Sequence, residues 1–327
     1  MRLTLKTTLA ATVAALALSA TGASATVDLI YSDTVPEANI RSQLLAEHFG
    51  ACLGDEFNFQ AYHGATLFAQ GTELNAMQRG NLDMGNLAVF DFQNQVPAAG
   101  ILGMPFLFRD YAHMRATYNS GVLDDLRAQM EAETGVHFLA FPYIGARHLS
   151  YIGDRRYMTP EDLNGVRLRM PGGEGWQFVG TAMGASPVPV PFTEVYTALQ
   201  TRSIDAQDNG FPATHDMHFD ELINHMALTN HLIAVNQFTI SQSKWDSLTP
   251  AQQERVQMCA DQFQDAVDAN TLQQESDLQA QFSAAGIDVY TPDLAAFQAR
   301  AVQMYNESGY AASWPQGLVE AINAVGR

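Results

Sequence analysis

Residues 165–210 read GVRLRMPGGEGWQFVGTAMGASPVPVPFTEVYTALQTRSIDAQDNG. Val166 to Met170 reads as a strand and the glycine-rich segment after Pro171 as a turn. A helix, a short strand over Pro187 to Val190, a second helix and a third strand edge follow. Strands separated by helices are the signature of an α/β sheet. Arg167 and Arg169 stand two apart, so in an extended chain both point to one face. Arg169 is nearly the last residue of its strand, and ligands of open α/β sheets sit in the crevice beyond the carboxyl ends of the strands. A guanidinium in that place offers two parallel donors to a carboxylate.

Outward from this stretch, Val27 to Ser32 and Phe57 to Tyr62 alternate in part as half-buried strands. They flank a helical pattern from Glu37 to Phe49 with Ile40, Leu44, Leu45 and His48 at helical spacing. This β-α-β opening extends the α/β reading, and no repeat or low-complexity segment interrupts it. Leu82 to Phe90 and Met104 to Phe108 are apolar and read as core. Tyr111 to Thr134 reads as helices, and Val136 to Phe141 as a strand whose end delivers Arg147, a second arginine just past a strand terminus. Thr159-Pro160, Thr249-Pro250 and Thr291-Pro292 each pair a capping threonine with proline in the first helical position. The second of them opens a long helix to about Gln279, and Leu232 to Ser241 is a strand long enough to pass between domains. A mature chain of about 300 residues exceeds one ordinary domain. We expect an α/β protein of two lobes joined by this long shared strand and helix, with a ligand cleft between them. The first lobe takes residues 26–145 plus about 235–274, and the second takes 146–234 plus about 275–327.

Arg2 and Lys6 precede an apolar segment from Leu9 to Leu18, and Ala23-Ser24-Ala25 supplies a small-residue cleavage site, so residues 1–25 read as a signal peptide. That apolar core is short for a bilayer, and no later run approaches about 20 apolar residues, so no direct membrane insertion is expected. Removing Arg2 and Lys6 from 17 basic side chains leaves them outnumbered by 35 acidic ones, a mature charge of about −20. Nucleic acid and anionic lipid both need a basic surface, and neither is expected as a partner. Against such a background a buried arginine carries more information than usual. Cys52 and Cys259 lie far apart in a chain bound for an oxidising compartment. A disulfide and two buried thiols both stay open, because spacing does not say whether their Cα atoms come within reach.

Enzyme motifs are sparse: no G-x-S-x-G elbow, no H-E-x-x-H and no P-loop occurs. Gly172-Gly173-Glu174-Gly175 does not complete G-x-G-x-x-G, and Glu174 would face the phosphates, so no nucleotide cofactor is expected. Backbone N–H groups at that helix start could hold a small anion, although a plain turn explains the glycines as well. His215 and His218 can share a helix face, yet no third ligand has a fitting spacing; a polar surface helix is the better reading and no metal is expected. His148 and Ser150 share a strand face, with nothing placed to orient a base. What remains is Arg169 and Arg147 at strand ends, Asn209 within Gln207-Asp208-Asn209-Gly210, and Ser32, Asp33 and Asn86 at the ends of first-lobe strands. A structural salt bridge is the competing use for either arginine.

Several segments together resemble the DctP-type solute receptors of tripartite ATP-independent periplasmic (TRAP) transporters. They are QRGNLDMG (78–85), MPFLFRD (104–110), DLNGVRLRMP (162–171), GASPVPVPFTEVYTALQ (184–200), IDAQDN (204–209) and LTNH (228–231). Their order and spacing span the mature chain. The resemblance implies a two-lobed periplasmic receptor that closes on a small organic acid and hands it to integral-membrane TRAP permease subunits, catalysing nothing and working as a monomer. It implies Arg169 as the principal carboxylate ligand, Asn209 as the asparagine completing the clamp, Arg147 as a second arginine on the ligand side, and Phe192 as the aromatic residue packed on the ligand. His231 and Gln207 would stand behind the clamp. Two departures bear on the pocket: Gly210 replaces a frequent proline, and Gly172 gives the pocket no side chain. A ligand-binding sensor, or a secreted enzyme acting on a carboxylate, are the alternative classes. Which acid is bound is set by the first lobe and is not readable from these motifs.

Overall fold

The computed structural model describes residues 26–326, so the proposed signal peptide lies outside the described residues. Ten strands form the sheet framework: β1 (Val27–Ser32), β2 (Phe57–Tyr62), β3 (Met84–Ala88), β4 (Val136–Ala140), β5 (Tyr143–Tyr151), β6 (Arg167–Met170), β7 (Ser186–Pro189), β8 (Ala206–Asn209), β9 (His225–Ser241) and β10 (Asp288–Tyr290). Their order is β2-β1-β3-β9-β5-β8-β6-β7, with β4 and β10 also paired to β9. The protein is the expected two-lobed α/β fold, and β9 is its spine. The carboxyl half of β9 pairs with β3 and β4, while its amino half pairs with β10 and, with β5, reaches across the second lobe.

β1 and β2 fall where the alternation of their side chains put them, and they pair in parallel over all six residues. β9 starts seven residues earlier than its apolar run suggests. The polar Thr229, Asn230 and His231 hide the continuation, and Asn230 takes a left-handed φ of 47° at an irregularity in the pairing. Arg147 does not follow a strand terminus. Pro142 ends β4, and a new strand, β5, carries Arg147 at its centre. Gly145 masks that strand in the sequence, since its φ of 108° is open only to glycine without strain.

The long helix runs from Pro250 to Ala284, with Thr249 capping it through Gln252 N–H and Gln252 returning the bond. At 1.5 Å per residue it is about 52 Å long, enough to brace both lobes. Its Asp268 accepts from Tyr143 N–H at 2.8 Å and Glu275 accepts from Ala146 N–H at 2.6 Å, fixing β5 where the chain passes between lobes. Cys259 on this helix is bonded to Cys52, with Cα atoms 5.6 Å apart, so the helix is also stapled to the first lobe. Among the described residues no helix is long and apolar enough to cross a membrane.

Candidate functional site

A cavity of about 160 Å³ lies between the lobes. The ends of β6 and β8 supply Arg169 and Asn209, β5 supplies Arg147, and the segment after β7 supplies Phe192. From the first lobe come Asn86, Gln70 and Glu73. The central stretch of the sequence therefore builds one wall, as its strand ends suggested.

Arg169 is 1% exposed. Its Nε donates to the Val190 carbonyl at 2.8 Å, and one terminal nitrogen reaches Gln70 Oε1 at 3.4 Å. Its Cζ stands 5.6 Å from the centre of the Phe192 ring. Among the described residues no carboxylate comes within ion-pair distance of it. Burial, and then the repulsion of Arg147, pull its pKa down to about 9, and the Asp208 charge offsets only part of that drop. It still carries its proton at neutral pH, as a desolvated charge facing the cavity.

Arg147 is also buried and otherwise employed. Its Nε donates to Asp208 Oδ1 at 2.7 Å, a terminal nitrogen donates to the Asp208 carbonyl, and its guanidinium lies 4.9 Å from the Trp176 ring centre. His231 Nε2 stands 3.3 Å from the other Asp208 oxygen and its Nδ1 meets Thr229 Oγ1 at 2.7 Å. Burial alone would push the Asp208 carboxyl up; Arg147 and His231 more than reverse this and hold it well below the usual carboxylate range. Burial, reinforced by His231, pulls the neighbouring His148 down to about 3, so its imidazole is neutral.

Asn209 is held by a chain of hydrogen bonds that fixes its orientation. The Thr214 hydroxyl donates to the Gly210 carbonyl at 2.8 Å, so its oxygen accepts from Gln207 Nε2 at 3.1 Å. Ser150 Oγ accepts from the same nitrogen at 2.5 Å. The Gln207 oxygen is thereby turned to Asn209 and accepts from its Nδ2 at 2.5 Å. One hydrogen of that nitrogen remains available on the cavity side.

The first-lobe wall differs from expectation. Ser32 and Asp33 are buried but do not line the cavity; Thr34 and Val35 do. Asp33 is consumed locally, accepting from Tyr31 Oη at 2.7 Å, Thr34 N–H at 2.6 Å and Arg41 at 3.1 Å. Asn86 does line the cavity, and neither atom of its shielded amide has a protein partner. Three further residues carry no motif in the sequence. Gln70 accepts from both Arg169 and Phe192 N–H, the latter at 2.9 Å, and so ties the lobes together beside Arg169. Glu73 is 4% exposed with one carboxylate oxygen unpartnered, and burial pushes it up to about 7. Trp176 packs edge-on against Phe90 of the first lobe with ring centres 4.8 Å apart. His215 and His218 are exposed and meet Asp220 and Glu221 at the surface.

The model of bacterial extracellular solute-binding protein family 7, DctP, matches residues 34–311. A TRAP periplasmic solute-binding protein from Roseobacter denitrificans, solved with bound 3-deoxy-D-manno-oct-2-ulosonic acid (KDO), is 37% identical with a TM-score of 0.89 over 92% of this chain and 100% of that one. A second such protein from Roseobacter denitrificans, solved with β-D-glucuronate, is 28% identical with a TM-score of 0.81 over 91% of this chain and 99% of that one. The sialic acid-binding periplasmic protein SiaP of Vibrio cholerae is 28% identical over 266 residues, 81% of this chain and 82% of that protein.

Proposed function

The chain belongs to bacterial extracellular solute-binding protein family 7, as a TRAP-type solute-binding protein, and from that premise we propose that it receives a sugar acid in the periplasm through an arginine clamp. One observation carries the clamp: Arg169 is a fully desolvated cation on the cavity wall with no carboxylate beside it among the described residues. Burying a charge without a partner is costly, and the arrangement is explained if the ligand brings the anion. Arg169 takes the carboxylate with its free terminal nitrogens, the remaining Asn209 hydrogen adds a third bond, and Phe192 packs beside them. Arg147, neutralised by Asp208, supplies a hydrogen-bonding edge rather than a second full charge.

The rest of the cavity favours a hydroxylated acid over a plain one. Asn86 offers an unpartnered donor and acceptor, and Glu73 offers an unpartnered oxygen, on the wall opposite the clamp. The solved relatives hold acids rich in hydroxyl groups. The lobes, residues 26–145 with about 235–274 and 146–234 with the segment from about 275, close on the ligand and present it to TRAP permease subunits. Its relatives are solute-binding receptors rather than enzymes, and the ligand leaves unchanged.

A thermal-shift screen tests this reading. At a concentration of 100 Kd a ligand adds about 2.7 kcal/mol, which for a chain of this size raises the melting temperature by roughly 5 °C. KDO and hexuronates should produce that shift and unsubstituted four-carbon dicarboxylates should not. A screen in which only the dicarboxylates respond removes the sugar-acid assignment.

A further inference from the structure

One amide oxygen of the first lobe meets two donors of the second. Gln70 lies between β2 and the helix Glu73–Gln78, at the second position of a turn closed by the Thr72 N–H and hydroxyl on the Ala69 carbonyl, at 3.0 and 2.7 Å. Gly71 holds the third position with a φ of 84°, as a type II turn requires. The turn fixes the Gln70 backbone, and the residue lines the cavity. Its Oε1 accepts from Phe192 N–H at 2.9 Å and lies 3.4 Å from a terminal nitrogen of Arg169. Both partners can only donate, so the oxygen of the amide, and not its nitrogen, faces them.

On the second lobe the two donors belong to one unit. Arg169 Nε donates to the Val190 carbonyl at 2.8 Å, Pro191 has no N–H, and Phe192 supplies the next one along the chain. Gln70 therefore closes a ring of hydrogen bonds that runs through the guanidinium and the backbone from Val190 to Phe192. Glutamate has the length of glutamine and would make both bonds charge-assisted. The chain has 35 acidic side chains, yet the side chain that reaches Arg169 across the cleft is an amide. A carboxylate there would neutralise Arg169 and compete with an incoming acid. An amide oxygen braces the guanidinium and leaves its charge for the ligand.

We propose that Gln70 is a positioning residue that couples capture of the acid to closure of the lobes: its amide oxygen latches the first lobe onto Phe192 and Arg169 and, being neutral, does so without occupying the clamp. The inference rests on the clamp and the closure read above. It goes beyond them in naming the residue that joins the two and the property, neutrality, on which the coupling depends.

Gln70→Glu and Gln70→Ala test this in the full chain, first without ligand. In Gln70→Glu the introduced carboxylate pairs with Arg169 across the cleft. Small-angle scattering then gives a smaller radius of gyration than for the wild type, and the melting temperature rises by about 2 °C or more. Both gains vanish when Arg169→Met is added, which a structural role unconnected with Arg169 would not produce. Calorimetry and stopped-flow measurements with KDO and with D-glucuronate follow. Gln70→Glu loses at least about tenfold in affinity, because the ligand must displace an anion already in place. Gln70→Ala loses roughly two- to tenfold, carried by the off-rate, with ligand-free melting unchanged. A ligand-free Gln70→Glu protein no more compact than the wild type, gains that survive Arg169→Met, or an unaltered off-rate in Gln70→Ala overturns the latch and leaves the sugar-acid reading intact. Wild-type protein that binds neither acid refutes the sugar-acid reading, and the ligand-free comparison still decides the latch. An Arg169→Met protein whose Kd stays within about threefold of the wild type refutes the clamp, and the coupling falls with it.

Discussion

Replacing Arg169 by methionine should move stability and affinity in opposite directions, a pattern that separates a ligand clamp from a structural ion pair. The side chain is 1% exposed, and its fixed protein contacts are the Val190 carbonyl at 2.8 Å and a long bond to Gln70. Burial and Arg147 depress its pKa to about 9, so in the ligand-free protein its charge opposes folding. Methionine keeps the length, removes the unpaired charge and leaves one carbonyl without its donor. The ligand-free protein should therefore be as stable as the wild type or more so, by about 1 kcal/mol or more once the lost carbonyl bond is counted. Binding should suffer far more. Two charge-assisted hydrogen bonds vanish and a carboxylate is stranded in a dry site, a loss of about 3–5 kcal/mol, or roughly 150- to 5,000-fold in Kd. Calorimetry with KDO or glucuronate measures the second quantity and ligand-free thermal melting the first. Arg169→Lys should recover little, because one ammonium cannot reproduce the fork or hold the Val190 carbonyl at the same time. A melting temperature that drops by several degrees while Kd stays within threefold would refute the reasoning, and Arg169 would then be a structural residue.

Closure and pH give two further tests. A Cβ on Gly175 would lie 2.3 Å from both Gln93 Oε1 and the Phe90 ring of the opposing lobe, so on the proposed closure of the lobes Gly175→Ala would overpack the closed form and not an open one. At about 1–3 kcal/mol the affinity should fall roughly 5- to 150-fold through faster release, with ligand-free melting unchanged; stopped-flow traces with an unaltered off-rate would contradict this. Glu73 and Asp91 have pKa values raised by burial to about 7 and about 6, so each binds more protons folded than unfolded. Their contribution is complete below the unfolded carboxyl range and is lost as pH rises through 6 to 7. His148, lowered to about 3, works the other way: its contribution is present above its unfolded value and is lost as pH falls. Between pH 6.5 and 8 the carboxyls therefore dominate among these three groups. Ligand-free melting should decline across that range in the wild type and more gently in Glu73→Gln, and equal slopes would show that Glu73 does not titrate there.

What the sequence discloses of this fold follows from where the physical signal is local. β1 and β2 were legible to the residue because a half-buried strand alternates its side chains. The start of the long helix was legible because threonine and proline satisfy its first turn within four residues. β5 was not, since Pro142 and Gly145 break its pattern while its partners lie far along the chain in β8 and β9. The same distinction runs through the site. Arg169 announces itself as a charge at the end of an apolar strand. Ser32 and Asp33 have equally suitable positions, yet Asp33 turns back on Tyr31 and Arg41, a choice made by the folded neighbourhood. Gln70 and Trp176 belong to no motif. Their interest lies in what they meet, or fail to meet, once the lobes are assembled.

The two buried arginines show why position alone could not rank them. Each was a candidate for either a ligand contact or a structural salt bridge, and the two stand near enough for Arg147 to depress the pKa of Arg169. Two guanidinium charges in one desolvated wall repel each other unless one is balanced. Asp208 balances Arg147, and His231 shares the same carboxylate from behind. The protein's own anion is thus committed to one cation, and the other is left with a carbonyl and an amide oxygen. A carboxylate entering the cleft finds its largest electrostatic gain at Arg169, since Arg147 already has an anion at 2.7 Å. On the proposed clamp, this arrangement would orient the acid before any sugar hydroxyl is read: the carboxylate would go to the end of β6, and the rest of the molecule would project toward the first lobe. The proposal thereby assigns recognition of charge and recognition of shape to opposite walls, and it predicts that substitutions at Asn86 or Glu73 change which acid fits without disturbing the contact with the carboxylate.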